Sequence, residues 1–257
     1  MMILLPRLLR FCRICLHAFS GVLLIRLALL WDGLCRHPPM HGLARKAQAR
    51  WCLRLCRLAR IRLSVHGEPL LPGPVLVAAN HVSWLDIPCV AAIWGIAFLS
   101  KSEVSRWPLI GNVATGLGTL YIGRGDGAGE AIQSMIARLR GGQRVLFFPE
   151  GTTGDDADLL PFRPRLYQAA IDAGVPVQPL MLRYFDASGE RSAAAPFVGD
   201  QALLAHIWQL CGAGPIEARL WVGQPICSAG HSRSELARRS RAAMLAVREP
   251  AALQEAG

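Results

Sequence analysis

The sequence predicts an α/β domain, a mostly parallel sheet flanked by helices, carrying an N-terminal pair of membrane-associated helices. Two patterns and a change of composition carry that prediction. From residue 61 onward, apolar runs of strand length alternate with longer runs at helical spacing, the order that builds a parallel sheet covered by helices. Several of the strand-like runs end at a polar corner before a helical run begins, which is where an open α/β sheet binds its ligand. Residues 1–60 are written differently: they are rich in leucine and arginine and contain no strand-like alternation. The expected organisation is therefore a helical hairpin over 1–60, the α/β domain over 61–250 and a flexible tail over 251–257.

In the first 31 residues leucine-rich stretches carry Arg7, Arg10, Arg13 and Arg26, and residues 14–31 are nearly long enough to span a bilayer. Arg26 is costly inside lipid unless it snorkels, and no small-residue cleavage site follows, so a retained anchor is expected. His37-Pro38-Pro39 breaks the helix. Residues 43–60 return as a basic helix in which Arg45, Lys46, Arg50, Arg54, Arg57 and Arg60 alternate with Trp51, Leu53, Leu55 and Leu58, an interfacial composition with its basic side toward headgroups. An ordinary helical pair packed on the domain would read the same way.

In the α/β region the predicted strands are 61–65, 75–79, 96–100, 120–122, 145–148, 177–182 and 216–222. The predicted helices are 85–93, 130–140, 166–173, 203–211 and 234–247. The whole chain of 257 residues is 52% apolar with a net charge of +10, a mean hydropathy of +0.30 and a pI of about 9.8. A basic, apolar-rich chain fits an anionic membrane surface, and no nucleic-acid-binding motif is present. Eight cysteines are present. Cys12-x-x-Cys15 and Cys52-x-x-x-Cys56 fall in leucine- and arginine-rich helical runs without the turns of metal knuckles, so buried, reduced thiols in a chain facing the cytosol are expected and no metal site.

Three corners concentrate the polar residues. The first, after strand 75–79, is Asn80-His81-Val-Ser83-Trp-Leu-Asp86. A neutral imidazole is suited to take a proton near pH 7, and a carboxylate on its other nitrogen fixes the tautomer. The same residues also read as a capping box, Ser83-x-x-Asp86, beside a loop histidine. The second corner delivers Arg124 into a glycine-rich loop, 123–129, shaped for an anion such as phosphate. Gly123-x-Gly125-x-x-Ala128 also matches a dinucleotide fingerprint, but no acidic residue ends the next strand. The third, Phe147-Phe148-Pro149-Glu150-Gly151-Thr152-Thr153, sets an acid at a strand end. Asp155, Asp156 and Asp158 after it read as a solvated loop.

Taken in order, these blocks resemble the glycerolipid acyltransferase family of lysophosphatidate acyltransferases. Asn80-His81-x-x-x-x-Asp86 is similar to its H-x4-D motif. Gly118-x-x-Tyr121-Ile122-x-Arg124, Phe148-Pro149-Glu150-Gly151-Thr152 and 175–182 are similar to its second, third and fourth blocks. The chain departs at Thr152-Thr153-Gly154-Asp155, where phosphatidate-making members continue Thr-Arg-Ser. Thr-Thr followed by acidic residues resembles bacterial members that include acyltransferases of lyso-ornithine lipid. The resemblance implies direct acyl transfer, with His81 as base and Asp86 orienting it. Arg124, Glu150, Gly151, Thr152 and Lys101 would hold the acceptor's headgroup. It implies no bound cofactor, acyl-CoA or acyl carrier protein as donor, a lysophospholipid acceptor, and a location at the cytoplasmic face of the inner membrane. Lysophosphatidate is the expected acceptor, lyso-ornithine lipid the alternative, and an acyl thioester hydrolase the rival of another class.

Overall fold

The computed structural model describes residues 4–36, 42–107, 110–123, 127–155 and 157–247. The predicted tail, the Pro38-Pro39 breaker, Arg124 and Asp156 lie outside the described residues. The elements are, in chain order, α1 (Leu4–Leu34), α2 (Leu43–Leu58), β1 (Ile61–Gly67), β2 (Val75–Ala79), α3 (Asp86–Ile93), β3 (Ala97–Lys101), α4 (Ile110–Gly116), β4 (Leu120–Ile122), α5 (Ala128–Arg140), β5 (Arg144–Phe147), α6 (Gln168–Ala173), β6 (Val177–Phe185), α7 (Leu203–Gly212), β7 (Ile216–Val222) and α8 (Arg233–Leu245).

One seven-stranded sheet has the order β1-β7-β6-β2-β5-β3-β4. All its neighbours are parallel except β6 and β7. The sheet is therefore mostly parallel, as the alternation predicted, with one antiparallel pair. β2 is buried at every residue, which is why it reads as an unbroken apolar run rather than an alternating one. Its side chains nevertheless alternate between two cores. Val75, Val77 and Ala79 pack with α2, α3 and α7, whereas Leu76 and Ala78 pack with α5, α6 and α8. After β2 the chain builds β3, β4 and β5 on one side and then crosses to β6 on the other. That reversal is the switch point at which the carboxyl ends of strands open a crevice.

The N-terminal pair packs tightly. Gly21 of α1 lies against the Trp51 indole of α2, with no room for a Cβ. Trp51 Nε1 donates to the His17 carbonyl at 2.9 Å, and the Asp32 carboxylate accepts the Leu43 and Ala44 N–H groups, each at 2.8 Å. An acidic side chain of one helix thus caps the start of the next. The buried residues of α1 are Ile14, Gly21, Ile25, Ala28 and Asp32. Leu9, Leu16, Phe19, Leu23, Leu27, Leu30 and Leu34 are exposed, and their spacing lines them along the opposite side.

Four expectations are corrected. Arg45 does not face outward: it is buried and donates to the carbonyls of Ile96 (3.1 Å) and Leu117 (2.6 Å). Burial lowers its pKa to about 10. Its side chain ties α2 to the sheet, a use that composition alone does not distinguish from headgroup binding. Cys12 is exposed and Cys15 only partly buried, whereas Cys52 and Cys56 are buried as expected. Arg7 and Arg10, grouped with the membrane anchor, instead hold the last turn of α7: Arg7 Nη2 donates to the Trp208 carbonyl at 2.8 Å and Arg10 Nη1 to that of Cys211 at 2.9 Å. Finally, α4 was not foreseen. Its glycines and β-branched residues are poor helix formers, and packing of Val113 and Leu117 on Ile25, Ala28 and Ala44 overrides that local preference.

Candidate active site

The site sits at the carboxyl ends of β2 and β5, which run parallel with Ala78 opposite Phe147. That register brings the residues after each strand together. Asn80 locks the end of β2 to β6: its Nδ2 donates to the Leu182 carbonyl at 2.9 Å and its Oδ1 accepts the Leu182 N–H at 2.7 Å. The chain then turns through His81 into α3.

His81 Nδ1 lies 2.7 Å from Asp86 Oδ2. The same oxygen accepts the N–H groups of Val82 (2.8 Å) and Ser83 (3.0 Å). The Ser83 bond is the reach-back half of a capping box, while the Ser83 hydroxyl is buried and makes no hydrogen bond. The carboxylate therefore shapes the turn and holds the imidazole, while the capping-box reading is met only in half, because the Ser83 hydroxyl does not reach the Asp86 N–H. Asp86 is fully buried, whereas the His81 side chain keeps 20% of its surface exposed. With Nδ1 occupied, Nε2 is the nitrogen able to exchange a proton. The ring stacks on Phe148 with centroids 3.9 Å apart and planes at 13°. The imidazole is thus fixed by a carboxylate at one edge and an aromatic face beside it.

Glu150 follows β5. Its Oε2 accepts the His81 N–H at 2.6 Å and its Oε1 accepts the Leu160 N–H at 3.1 Å. The carboxyl group is 5% exposed. Burial raises its pKa to about 7, and the two N–H donors oppose that rise. Its polar contacts are with two stretches of backbone, at His81 and at Leu160. Gly151 adopts φ +72°, a left-handed turn that favours glycine, with the Arg163 guanidinium beside it. The loop then returns: Gly154 N–H donates to the His81 carbonyl at 2.8 Å. Thr152 is exposed in this loop. Lys101 is exposed at the end of β3 and opposite Ile122, two residues before Arg124 in sequence.

A small cavity beside His81 is lined by Asn80, Glu150, Gly154, Asp158, Leu159 and Arg183, among others. Asp158 and Arg183 bring one charge of each sign to it. Among the described residues no cluster of histidine, cysteine and acidic side chains is arranged to hold a metal ion.

Sequence reasoning gave no role to three residues that touch the dyad or its turn. Phe148 ends a predicted strand and opens the third block, but its stacking on the His81 ring has no sequence signal. Trp84 donates from Nε1 to His206 Nδ1 at 2.9 Å, tying the turn to α7. Tyr184 donates to Asp86 Oδ1 at 2.6 Å. The last two pairings span 122 and 98 residues, and no local signal announces them.

The family model described as Acyltransferase matches residues 62–183. A lyso-ornithine lipid O-acyltransferase of Pseudomonas aeruginosa is 42% identical over 195 residues, covering 76% of this chain and 75% of that one. A 1-acyl-sn-glycerol-3-phosphate acyltransferase of Neisseria meningitidis is 38% identical over 169 residues, 65% of each chain. Among solved structures, the 1-acyl-sn-glycerophosphate acyltransferase PlsC of Thermotoga maritima superposes with a TM-score of 0.65 over 95% of this chain and 99% of that one, at 19% identity. That likeness is one of fold.

Proposed function

Because this chain belongs to the acyltransferase family and is an O-acyltransferase of the lysophospholipid type, we propose that it moves an acyl chain from acyl-CoA or acyl carrier protein to the free hydroxyl of a lyso-ornithine lipid. The observation that carries the chemistry is the 2.7 Å pair of His81 and buried Asp86 beside a cavity. His81 Nε2 takes the proton of the acceptor hydroxyl as its oxygen attacks the thioester carbonyl. The new C–O bond forms, the C–S bond breaks, and the imidazolium returns the proton to the departing thiolate. Asp86 holds Nδ1–H and stabilises the transient imidazolium. Glu150 fixes the backbone of His81 from behind. Arg124, Lys101, Gly151 and Thr152 remain the residues assigned to the acceptor's headgroup.

Two observations favour the ornithine acceptor. The Pseudomonas relative named for that lipid matches three quarters of both chains. Asp158 and Arg183 beside His81 suit a headgroup carrying an ammonium and a carboxylate. Lysophosphatidate is the second reading, favoured by the complete Gly118-to-Arg124 block and by the Neisseria relative. In either case the acceptor is a lipid, and the exposed leucine face of α1 supports a membrane-seated enzyme. Each large apolar side chain moved out of water contributes about 1.5–3 kcal/mol, so a run of such residues favours lipid over solvent. The hairpin would lie in one leaflet, at the cytoplasmic face of the inner membrane.

The test has two parts. His81→Ala is expected to lower turnover by about 10²–10⁴-fold with the fold intact, and Asp86→Asn to follow it. Near-native turnover of His81→Ala would remove the proposed mechanism. A competition assay with both lysolipids is expected to favour the ornithine acceptor, and preferential acylation of lysophosphatidate would reverse that assignment alone.

A further inference from the structure

Tyr184 is fully buried, and its hydroxyl meets the one Asp86 oxygen that His81 does not use. Asp86 Oδ2 already receives three N–H groups, from the His81 ring, Val82 and Ser83. Oδ1 receives the Tyr184 O–H at 2.6 Å, the length of a hydrogen bond to a charged acceptor. Behind the phenol lie two thiols: Cys89 Sγ at 3.9 Å from the Tyr184 oxygen, and Cys56 Sγ at 4.0 Å from Cys89.

We propose that Tyr184 is a positioning residue for acyl transfer: its O–H bond to Asp86 Oδ1 sets how strongly that carboxylate supports positive charge on His81. The inference rests on the reading of His81 as the base. A carboxylate that shares its charge with a phenol donor has less to offer the imidazole. Weakening the donor strengthens the Asp86–His81 interaction and makes His81 harder to deprotonate. Strengthening it does the reverse. The phenol can serve across the working range because burial, and then the neighbouring Asp86 charge, hold its own pKa well above the usual tyrosine value.

The titratable and charged groups facing this network are few. Glu150 approaches from the loop after β5, Cys89 from α3, Cys56 from α2, and Asp158 and Arg183 from the cavity wall. Cys89 is kept neutral by its bond with Cys56 and by burial. Tyr184 is the group among these that bonds the far oxygen of Asp86.

The experiment is the pH dependence of kcat/KM and kcat for the full-length protein in lipid vesicles, with an acyl thioester and a lysolipid. Three proteins are compared: wild type, Tyr184→Phe, and enzyme with 3-fluorotyrosine at position 184, a more acidic phenol of nearly the same shape. For Tyr184→Phe, kcat is expected to fall about tenfold with KM for both substrates within about twofold, and the acidic limb to move up by about half a pH unit. In the fluorinated enzyme the limb moves down. Opposite shifts from two nearly isosteric changes are not produced by a packing role. If Tyr184→Phe fails to fold, the fluorinated protein alone carries the test. An acidic limb unmoved in every folded variant overturns the inference, whatever happens to kcat. His81→Ala is run alongside: if it is inactive while the limb stays fixed, only the role of Tyr184 is lost, and if it is active, the reading of His81 falls and this inference with it.

Discussion

Glu150 occupies an unusual position for a carboxyl group, with both oxygens on backbone N–H groups and almost no contact with water. Burial holds its pKa near 7, against an ordinary value of 4.5. Between those two pH values the folded protein keeps a proton that the unfolded chain has released. Its contribution to stability is therefore fully present below pH 4.5 and is lost as pH rises toward 7. At about 1.4 kcal/mol per pH unit the change approaches about 3 kcal/mol. Glu150→Gln cannot titrate, so the stability gap between wild type and variant, measured by urea unfolding at the two ends of that window, should shift by up to this amount. A gap independent of pH would mean that Glu150 is already ionised at pH 4.5. At this scale the dyad was legible because only four residues separate His81 from Asp86 and one turn joins them. The partners of Glu150 were not, because Leu160 reaches it only through the conformation of the intervening loop.

At the level of elements, α1 shows how one helix can answer to two environments. Its inner line, Ile14, Gly21, Ile25 and Ala28, is small or shapely enough to pack against α2. Its outer line is large and apolar, with Leu16 69%, Phe19 65% and Leu34 82% exposed. A helix apolar all round belongs in a core or a membrane, and the outer line has no protein partner among the described residues. Replacing Leu16, Leu23 and Leu27 together by glutamate should release most of the protein from anionic liposomes, since each charge is costly in lipid and the loss of apolar area removes several kcal/mol. The soluble variant should keep its far-ultraviolet circular dichroism and its activity on detergent-dispersed lysolipid. Undiminished flotation with liposomes would move the membrane contact elsewhere. The sequence made the helix visible through its composition, but not which arginines face outward. Arg45, Arg7 and Arg10 spend their charge on backbone carbonyls, a choice made by tertiary neighbours and not by helical spacing.

Across the whole molecule, all seven strands were legible, because short apolar runs bracketed by glycine and proline survive without knowledge of the fold. Their order was not. Nothing local says that β6 and β7 run antiparallel or that β1 lies beside β7, since these pairings join residues more than 150 positions apart in the latter case. Tyr184 escaped notice for the same reason: it meets Asp86 only once β6 is set beside β2. The clasp that Arg7 and Arg10 make on α7, 201 residues away, also fixes an order of events during synthesis. A ribosome adding about 5–20 residues per second needs roughly 10–40 s to reach α7 after making the first helix. α2 emerges within seconds, so the hairpin is closed while its outer leucines face solvent and most of the catalytic domain is still unmade. A chain arrested before residue 203 should consequently already co-sediment with membranes, and one that stays in the supernatant until α7 is complete would contradict this order. Co-sedimentation of the arrested chain would make a lipid surface the first partner the nascent chain acquires, with the domain assembling beside it afterwards.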